Sequence, residues 1–73
     1  MEKLLGILNK VNSDVDYNSE KFLIEERILD SIQIVYLIQL ISSEYNIEIQ
    51  IQDLIPENFN SIEAIWNLIE KYH

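Results

Sequence analysis

The chain has no cysteine and only one histidine, one proline and one glycine among its 73 residues. Without cysteine it has neither thiol chemistry of its own nor disulfides. The histidine, His73, is the last residue, so the sequence pairs no nucleophile with an imidazole base. We therefore expect a protein that is not an enzyme.

Basic residues are also scarce, with five Lys and Arg against thirteen Asp and Glu and a net charge of −8. Nucleic acids and anionic membrane surfaces both require clustered positive charge. We therefore expect no nucleic-acid partner and no membrane insertion, and basic protein surfaces are the natural partners. No segment has the pattern of a signal peptide or of a spanning helix, so we expect a cytoplasmic protein.

Metal-ligating patterns are weak as well. Asp14, Asp16 and Glu20 resemble a calcium loop, but the central glycine and the terminal glutamate of such a loop are missing. We expect no metal site.

The apolar residues follow helical spacing in three places. Leu4, Leu5, Leu8 and Val11 predict a first helix over about residues 2–11. A second helix is predicted over residues 31–45, because its apolar residues also lie three or four positions apart. They are Ile34, Leu37, Ile38, Ile41 and Tyr45.

The ends of the second helix are marked by polar residues. Asp30 is the expected N-cap, and Gln33 three residues later completes a capping-box pattern. Asn46 can adopt the left-handed conformation that ends a helix. Ser31 is then the first helical residue, beside unpaired backbone N–H groups and away from the apolar stripe.

A long segment without clear periodicity, residues 12–30, separates these two helices. We expect Phe22, Leu23 and Ile24 to anchor it on the core. Six of the thirteen acidic residues lie in this segment. They form either a merely solvated loop or an acidic approach to Ser31 that attracts basic partner enzymes.

The sequence after the second helix predicts a connector and two more helices. Residues 47–52 alternate apolar and polar, but no other segment could pair with them as a strand, so we expect an extended connector. Pro56 and Phe59 indicate a short helix. Asn60 and Glu63 resemble a capping box for a last helix, whose inner face would be Ile62, Ile65, Trp66 and Ile69.

These elements predict an all-α fold over a single domain, residues 1–73. The expected architecture is a small antiparallel bundle of three longer helices and one short helix, with a long loop between helices one and two. The 48% hydrophobic content is enough for one modest core. We expect a monomer.

Residues 28–32 (Ile-Leu-Asp-Ser-Ile), followed by an apolar helix, resemble the Asp-Ser-Leu motif of acyl and peptidyl carrier proteins. The resemblance implies that Ser31 carries a covalent 4′-phosphopantetheine arm holding cargo as a thioester. It implies three partners: a phosphopantetheinyl transferase, an adenylating ligase that loads the arm, and a downstream acyl- or aminoacyl-accepting enzyme. Asp30 could assist by binding the transferase's metal.

Within this family the segment is similar to stand-alone D-alanyl and other aminoacyl carrier proteins, because no Gly-Gly precedes the motif. The expected cargo is therefore aminoacyl or peptidyl, as in nonribosomal peptide biosynthesis. A polyketide or fatty acyl carrier is the alternative, and an unmodified helical interaction module is an alternative of a different class. The identity of the cargo and the pathway stay open.

The exposed flank of the second helix differs from the acidic one usual in fatty-acid carriers. Glu44 is its one charged residue between Ser31 and Tyr45. The helical wheel places uncharged residues beside Ser31, so we expect a small, rather apolar partner contact. The predicted partner-binding residues are Asp30, Ile32, Val35, Tyr36 and Gln39.

Overall fold

Four α-helices and one turn of 3₁₀ helix form the fold in the computed structural model, which describes residues 2–72. The helices are α1 (Glu2–Val11), α2 (Ser31–Tyr45), α3 (Pro56–Phe59) and α4 (Ile62–Lys71), and the 3₁₀ turn is Ile51–Asp53. The described residues include no strand. The predicted all-α class, with three longer helices and a short one, is confirmed.

The ends of α2 are those predicted from the sequence. Gln33 N donates to Asp30 Oδ1 at 2.8 Å, and Asp30 N donates to Gln33 Oε1 at 3.1 Å, so both halves of the capping box are present. Asn46 ends the helix at φ 53° and ψ 52°, in the left-handed region. The sequence thus fixes where Ser31 lies on the helix.

The core is built from the inner faces of α1, α2 and α4 together with side chains of the long loop. Ile7 and Leu68 are buried although the spacing patterns did not assign them to the inner faces. Trp66, predicted on the inner face of α4, is half-buried and packs edge-on against Tyr45 with ring centroids 6.1 Å apart. The buried apolar residues are Leu4, Ile7, Leu8, Tyr17, Leu23, Leu29, Leu37, Ile41, Phe59, Ile62, Ile65, Leu68 and Ile69.

The long loop, residues 12–30, contains no helix but is firmly anchored. Tyr17, Leu23 and Leu29 are each at most 3% exposed. The Tyr17 hydroxyl lies 3.0 Å from the carbonyl oxygen of Leu8 and 2.7 Å from that of Asn12, and burial raises its pKa. The expectation that Phe22 is an anchor was wrong, since its side chain is 49% exposed.

The start of α4 also differs from the prediction. Its N-cap is Ser61, whose hydroxyl oxygen accepts from Ala64 N at 3.1 Å. Asn60 is instead buried, and its Oδ1 accepts from the backbone N–H groups of Ile24 and Glu25. The N-cap at Ser61, one residue later, was missed because both residue types suit the N-cap position.

The connector after α2 is extended through Gln50 only, and the 3₁₀ turn begins at Ile51, one residue after it. Ile47 and Ile49 pack partly against the core, whereas Ile51 is 84% exposed. The predicted extended connector is therefore correct for residues 47–50 and wrong for residues 51–52, which belong to the 3₁₀ turn. None of the helices formed by residues 2–72 is long and apolar enough to span a membrane.

Candidate functional site at the start of helix α2

Ser31 is exposed at the first position of α2, on a backbone that is held from both sides. On one side, Leu29 is buried and its N–H donates to the carbonyl of Leu23 at 3.1 Å. On the other, the Asp30 capping box fixes the first turn of the helix. The Ser31 hydroxyl therefore projects into solvent from a position with little freedom to move.

The electrostatics of this position suit a phosphate on the hydroxyl. The first turn of α2 contains no acidic residue, and its N–H groups carry the positive end of the helix dipole. Asp30, the adjacent acid, directs Oδ1 to Gln33 N. A phosphodiester on Ser31 would be stabilised by the same N–H groups and dipole that bind anions at other helix starts.

Beside Ser31, the flank of α2 exposes an apolar surface. Ile32 is 79% exposed, Val35 56% and Tyr36 44%, which is unusual for large apolar side chains. Ser31, Ile32, Val35, Tyr36 and Gln39 line one shallow depression. Four of the five predicted partner-binding residues thus share this depression with Ser31, and the fifth, Asp30, immediately precedes it.

None of the five residues that line this depression is acidic. Glu25, Glu26 and Asp30 are exposed in the loop before Ser31. Glu44 lies at the far end of α2, where its carboxylate is 3.4 Å from the ammonium group of Lys3. A partner approaching Ser31 would therefore meet an apolar flank on α2 and negative charge on the loop.

A second feature near Ser31 is an apolar pocket of about 160 Å³. Ile34, one helical turn after Ser31, forms part of its wall. The complete lining is Ile24, Ile34, Ile38, Leu54, Ile55, Pro56 and Phe59. Sequence reasoning missed this pocket, because spacing within α2 identified Ile34 and Ile38 but gave no sign that Leu54 and Ile55 lie opposite them.

Arg27, four residues before Ser31, has φ 58°. This left-handed conformation is unfavourable for a residue with a Cβ atom. It reverses the chain so that the N–H groups of Ile28 and Leu29 both reach the carbonyl of Leu23. No sequence signal identified it, since glycine or asparagine is the usual residue for such a position.

Within residues 2–72, no group of three or more His, Cys, Asp or Glu side chains could hold a metal ion. His73, the one histidine, lies outside the described residues. The chemistry available at the start of α2 is therefore that of a hydroxyl group on a rigid helix end, next to an apolar surface.

A small α-helical protein with an exposed serine at the capped start of its longest helix has the features of a carrier that is modified on that serine. Comparison with known proteins agrees. The chain is 39% identical over 54 residues to a protein named Acyl carrier protein from Buchnera aphidicola subsp. Baizongia pistaciae, and the match covers 74% of this chain and 67% of the relative. Neither family models nor solved structures gave a match.

The chain belongs to the acyl carrier protein family. Proteins of this family are non-catalytic carriers with 4′-phosphopantetheine attached covalently to a serine. The predicted family, the predicted cofactor and the expectation of a protein without enzymatic activity are confirmed. The relative's name does not distinguish an acyl cargo from an aminoacyl one.

Proposed function

We propose that Ser31 is the serine that carries the 4′-phosphopantetheine arm. The observation that supports this most strongly is that Ser31 combines exposure, a fixed backbone and a helix start free of acidic residues. The other serines lack this combination. Ser13, Ser19 and Ser43 are exposed but do not begin a helix, Ser42 is half-buried within α2, and Ser61 accepts a hydrogen bond from α4.

In the proposed modification, a transferase activates the hydroxyl and supplies coenzyme A. A bond forms between Ser31 Oγ and the phosphorus of the phosphopantetheine portion, and the adenosine bisphosphate portion of coenzyme A leaves. Asp30, the residue before Ser31, is exposed and is fixed by its capping box, and we propose that it binds the transferase's metal. When bound, the arm supplies a terminal thiol on which cargo is held as a thioester.

The test is incubation with coenzyme A, Mg²⁺ and a broad-specificity phosphopantetheinyl transferase, followed by intact-mass measurement. The wild-type chain should gain one arm, and Ser31→Ala should gain none. Ser43→Ala, which changes an exposed serine farther along the same helix, is the matched control and should be modified like the wild type. An arm found on another serine would disprove the assignment.

As carrier function we propose that residues 1–73 act as one domain that transfers cargo between enzymes. The arm raises the effective concentration of the cargo at each partner site. The partners are the transferase, an adenylating ligase and a downstream acyl- or aminoacyl-accepting enzyme. We propose that the chain works as a monomer in the cytoplasm.

For the cargo we propose an aminoacyl or peptidyl group. The supporting observation is the exposed flank of α2, which presents Ile32, Val35 and Tyr36. An acidic flank at this place would instead favour partners with basic patches. Ile32→Ala and Tyr36→Ala should then slow loading by the cognate adenylating ligase at unchanged thermal stability. Loading at wild-type rates by both variants would contradict an apolar contact.

A fatty acyl cargo is the second candidate, and one observation favours it. The 160 Å³ apolar pocket begins one turn from Ser31. Short acyl and aminoacyl groups loaded on the arm would distinguish the two candidates. Only an acyl cargo that enters the pocket should shift the methyl NMR signals of Ile34 and Ile38.

A further inference from the structure

Asp53 is the centre of a polar cluster that the carrier function does not use. It lies at the end of the 3₁₀ turn with 9% of its surface exposed. Its Oδ1 accepts from Lys71 Nζ at 2.9 Å, and its Oδ2 accepts from the hydroxyl of Tyr72. The Tyr72 hydroxyl oxygen in turn accepts from Gln50 N at 3.0 Å. We call this set of contacts the Asp53 latch.

The latch ties residues 50–58 to the C-terminal end of α4. Within residues 51–58, Asp53 is the one buried residue, whereas the apolar residues of this segment are exposed. Ile51 is 84% exposed, and Leu54 and Ile55 are each 43% exposed. Segments with few buried apolar contacts open at low free-energy cost, so polar contacts decide how firmly this one is held.

The two ends of the segment are held independently of the latch. Phe59 is buried, and the carbonyl oxygen of Asn60 accepts from Leu23 N at 2.8 Å. At the other end, Ile49 packs against the core. Residues between these fixed points donate two further side-chain hydrogen bonds, from Asn58 Nδ2 to the carbonyl oxygen of Asp53 at 2.8 Å and from Gln50 Nε2 to that of Glu48 at 3.3 Å. Both join residues close in the chain, so neither ties the segment to another element.

The same segment forms one wall of the apolar pocket. Leu54, Ile55 and Pro56 face Ile24, Ile34 and Ile38 across it. We propose that the Asp53 latch sets the size of this pocket: when the latch is broken, residues 50–58 move outward and the pocket admits apolar groups larger than those it accepts in the latched state. The proposal does not depend on modification of Ser31.

The first measurement is amide hydrogen exchange of the full chain, comparing wild type with Tyr72→Phe and Asp53→Asn. Tyr72→Phe removes only the hydroxyl that links Asp53 to Gln50 N. The amides of Gln50, Asp53, Leu54 and Asn58 should exchange at least tenfold faster, whereas those of α1 and α2 should change by less than twofold. Because both variants break one network, the double variant should not add to the effect.

Glu63→Gln is the matched control. It disrupts the exposed ion pair of Lys21 and Glu63, 3.0 Å apart, which joins the long loop to the start of α4 away from residues 50–58. This variant should leave the exchange of residues 50–58 unchanged. Uniformly faster exchange in Tyr72→Phe and Asp53→Asn would overturn the proposal, because Asp53 would then merely stabilise the whole fold.

The second measurement uses benzene and naphthalene as apolar probes, detected by the methyl NMR signals of Ile24, Ile34 and Ile38. A pocket of about 150 Å³ is the size that accepts benzene in another protein. Naphthalene should bind Tyr72→Phe at least fivefold more tightly than wild type, with little change for benzene. Unchanged naphthalene binding, with or without faster local exchange, would overturn the proposal that the latch sets the pocket size.

Discussion

The two long connections of this protein are held in opposite ways. The loop before α2, residues 12–30, is polar and irregular in sequence, yet Tyr17, Leu23 and Leu29 bury almost completely in the core. The connector after α2 is rich in isoleucine and leucine, yet it leaves Ile51, Leu54 and Ile55 exposed and is fixed by a carboxylate. The apolar content of a connection therefore does not show how firmly it is held.

This difference affects the two regions next to Ser31, which are the loop that precedes it and the apolar pocket beside it. The firmly anchored loop holds Ser31 at a constant position, which would favour recognition by several enzymes under the proposed function. The loosely packed connector forms a wall of the apolar pocket, where movement costs little. One connection thus provides rigidity at Ser31, and the other provides adaptability beside it under the proposed latch.

The largest expected effect comes from removing an anchor of the loop. Leu23→Ala should lower the free energy of unfolding by roughly 2–5 kcal/mol, because Leu23 is fully buried and its truncation leaves a cavity. Its backbone hydrogen bonds to Asn60, Ile28 and Leu29 do not involve the side chain, so the loss measures the contribution of the side chain alone. Urea unfolding followed by circular dichroism gives the value.

Ile51→Ala is the corresponding change in the connector. With 84% of Ile51 exposed, it should alter the free energy of unfolding by no more than about 0.5 kcal/mol. Equal losses in the two variants would contradict the contrast between the connections.

The next effect concerns the polar residue that joins the loop to α4. Asn60→Ala removes the acceptor for the N–H groups of Ile24 and Glu25, at 3.0 and 3.2 Å. Leaving these donors unpaired should cost about 1–3 kcal/mol in the same unfolding measurement. Asn9→Ala, at an exposed position of α1, serves as the control and should cause no loss.

The helices and the position of Ser31 at the start of α2 could be predicted from the sequence, because both depend on local patterns. Capping residues and three- or four-residue spacing act within one turn, so Asp30, Gln33 and Asn46 were assigned correctly. Asn60 was misassigned because its partners, Ile24 and Glu25, are about 35 positions away in the chain. The Asp53 latch joins residues about 20 positions apart and has no local signature.

A smaller and opposite effect is expected at Arg27. Its φ of 58° is a conformation that costs a residue with a Cβ atom about 1–2 kcal/mol and glycine nothing. Glycine loses more chain entropy on folding, by about 0.5–1 kcal/mol, so Arg27→Gly should stabilise the protein by up to about 1.5 kcal/mol. Arg27→Ala keeps the Cβ atom and should give no gain. Differential scanning calorimetry of both variants would show whether relief of the strain, rather than loss of the charge, is responsible.

The most localised effect is the pH dependence of the stabilisation that Asp53 gives to the connector. The hydrogen bonds donated by Tyr72 and Lys71, together with the positive charge of Lys71, hold the pKa of Asp53 below its ordinary value of 3.8. The unfolded chain therefore binds a proton at higher pH than the folded chain. The stabilisation by Asp53 is complete above that ordinary value and is lost as the pH falls through the lower folded-state pKa.

The free energy of unfolding of wild type minus that of Asp53→Asn should accordingly be constant between about pH 5 and about pH 9 and shrink below about pH 4. The Gln50 amide signal, which reports on Tyr72, should shift in the same acidic range. Glu57 lines the same surface depression as Asp53 and Lys71, so Glu57→Gln is the control and should leave this dependence intact. A difference between wild type and Asp53→Asn that stays constant down to pH 2 would show that the charge of Asp53 does not hold the connector. The contrast between an apolar anchor in one connection and an ionic one in the other would then be lost.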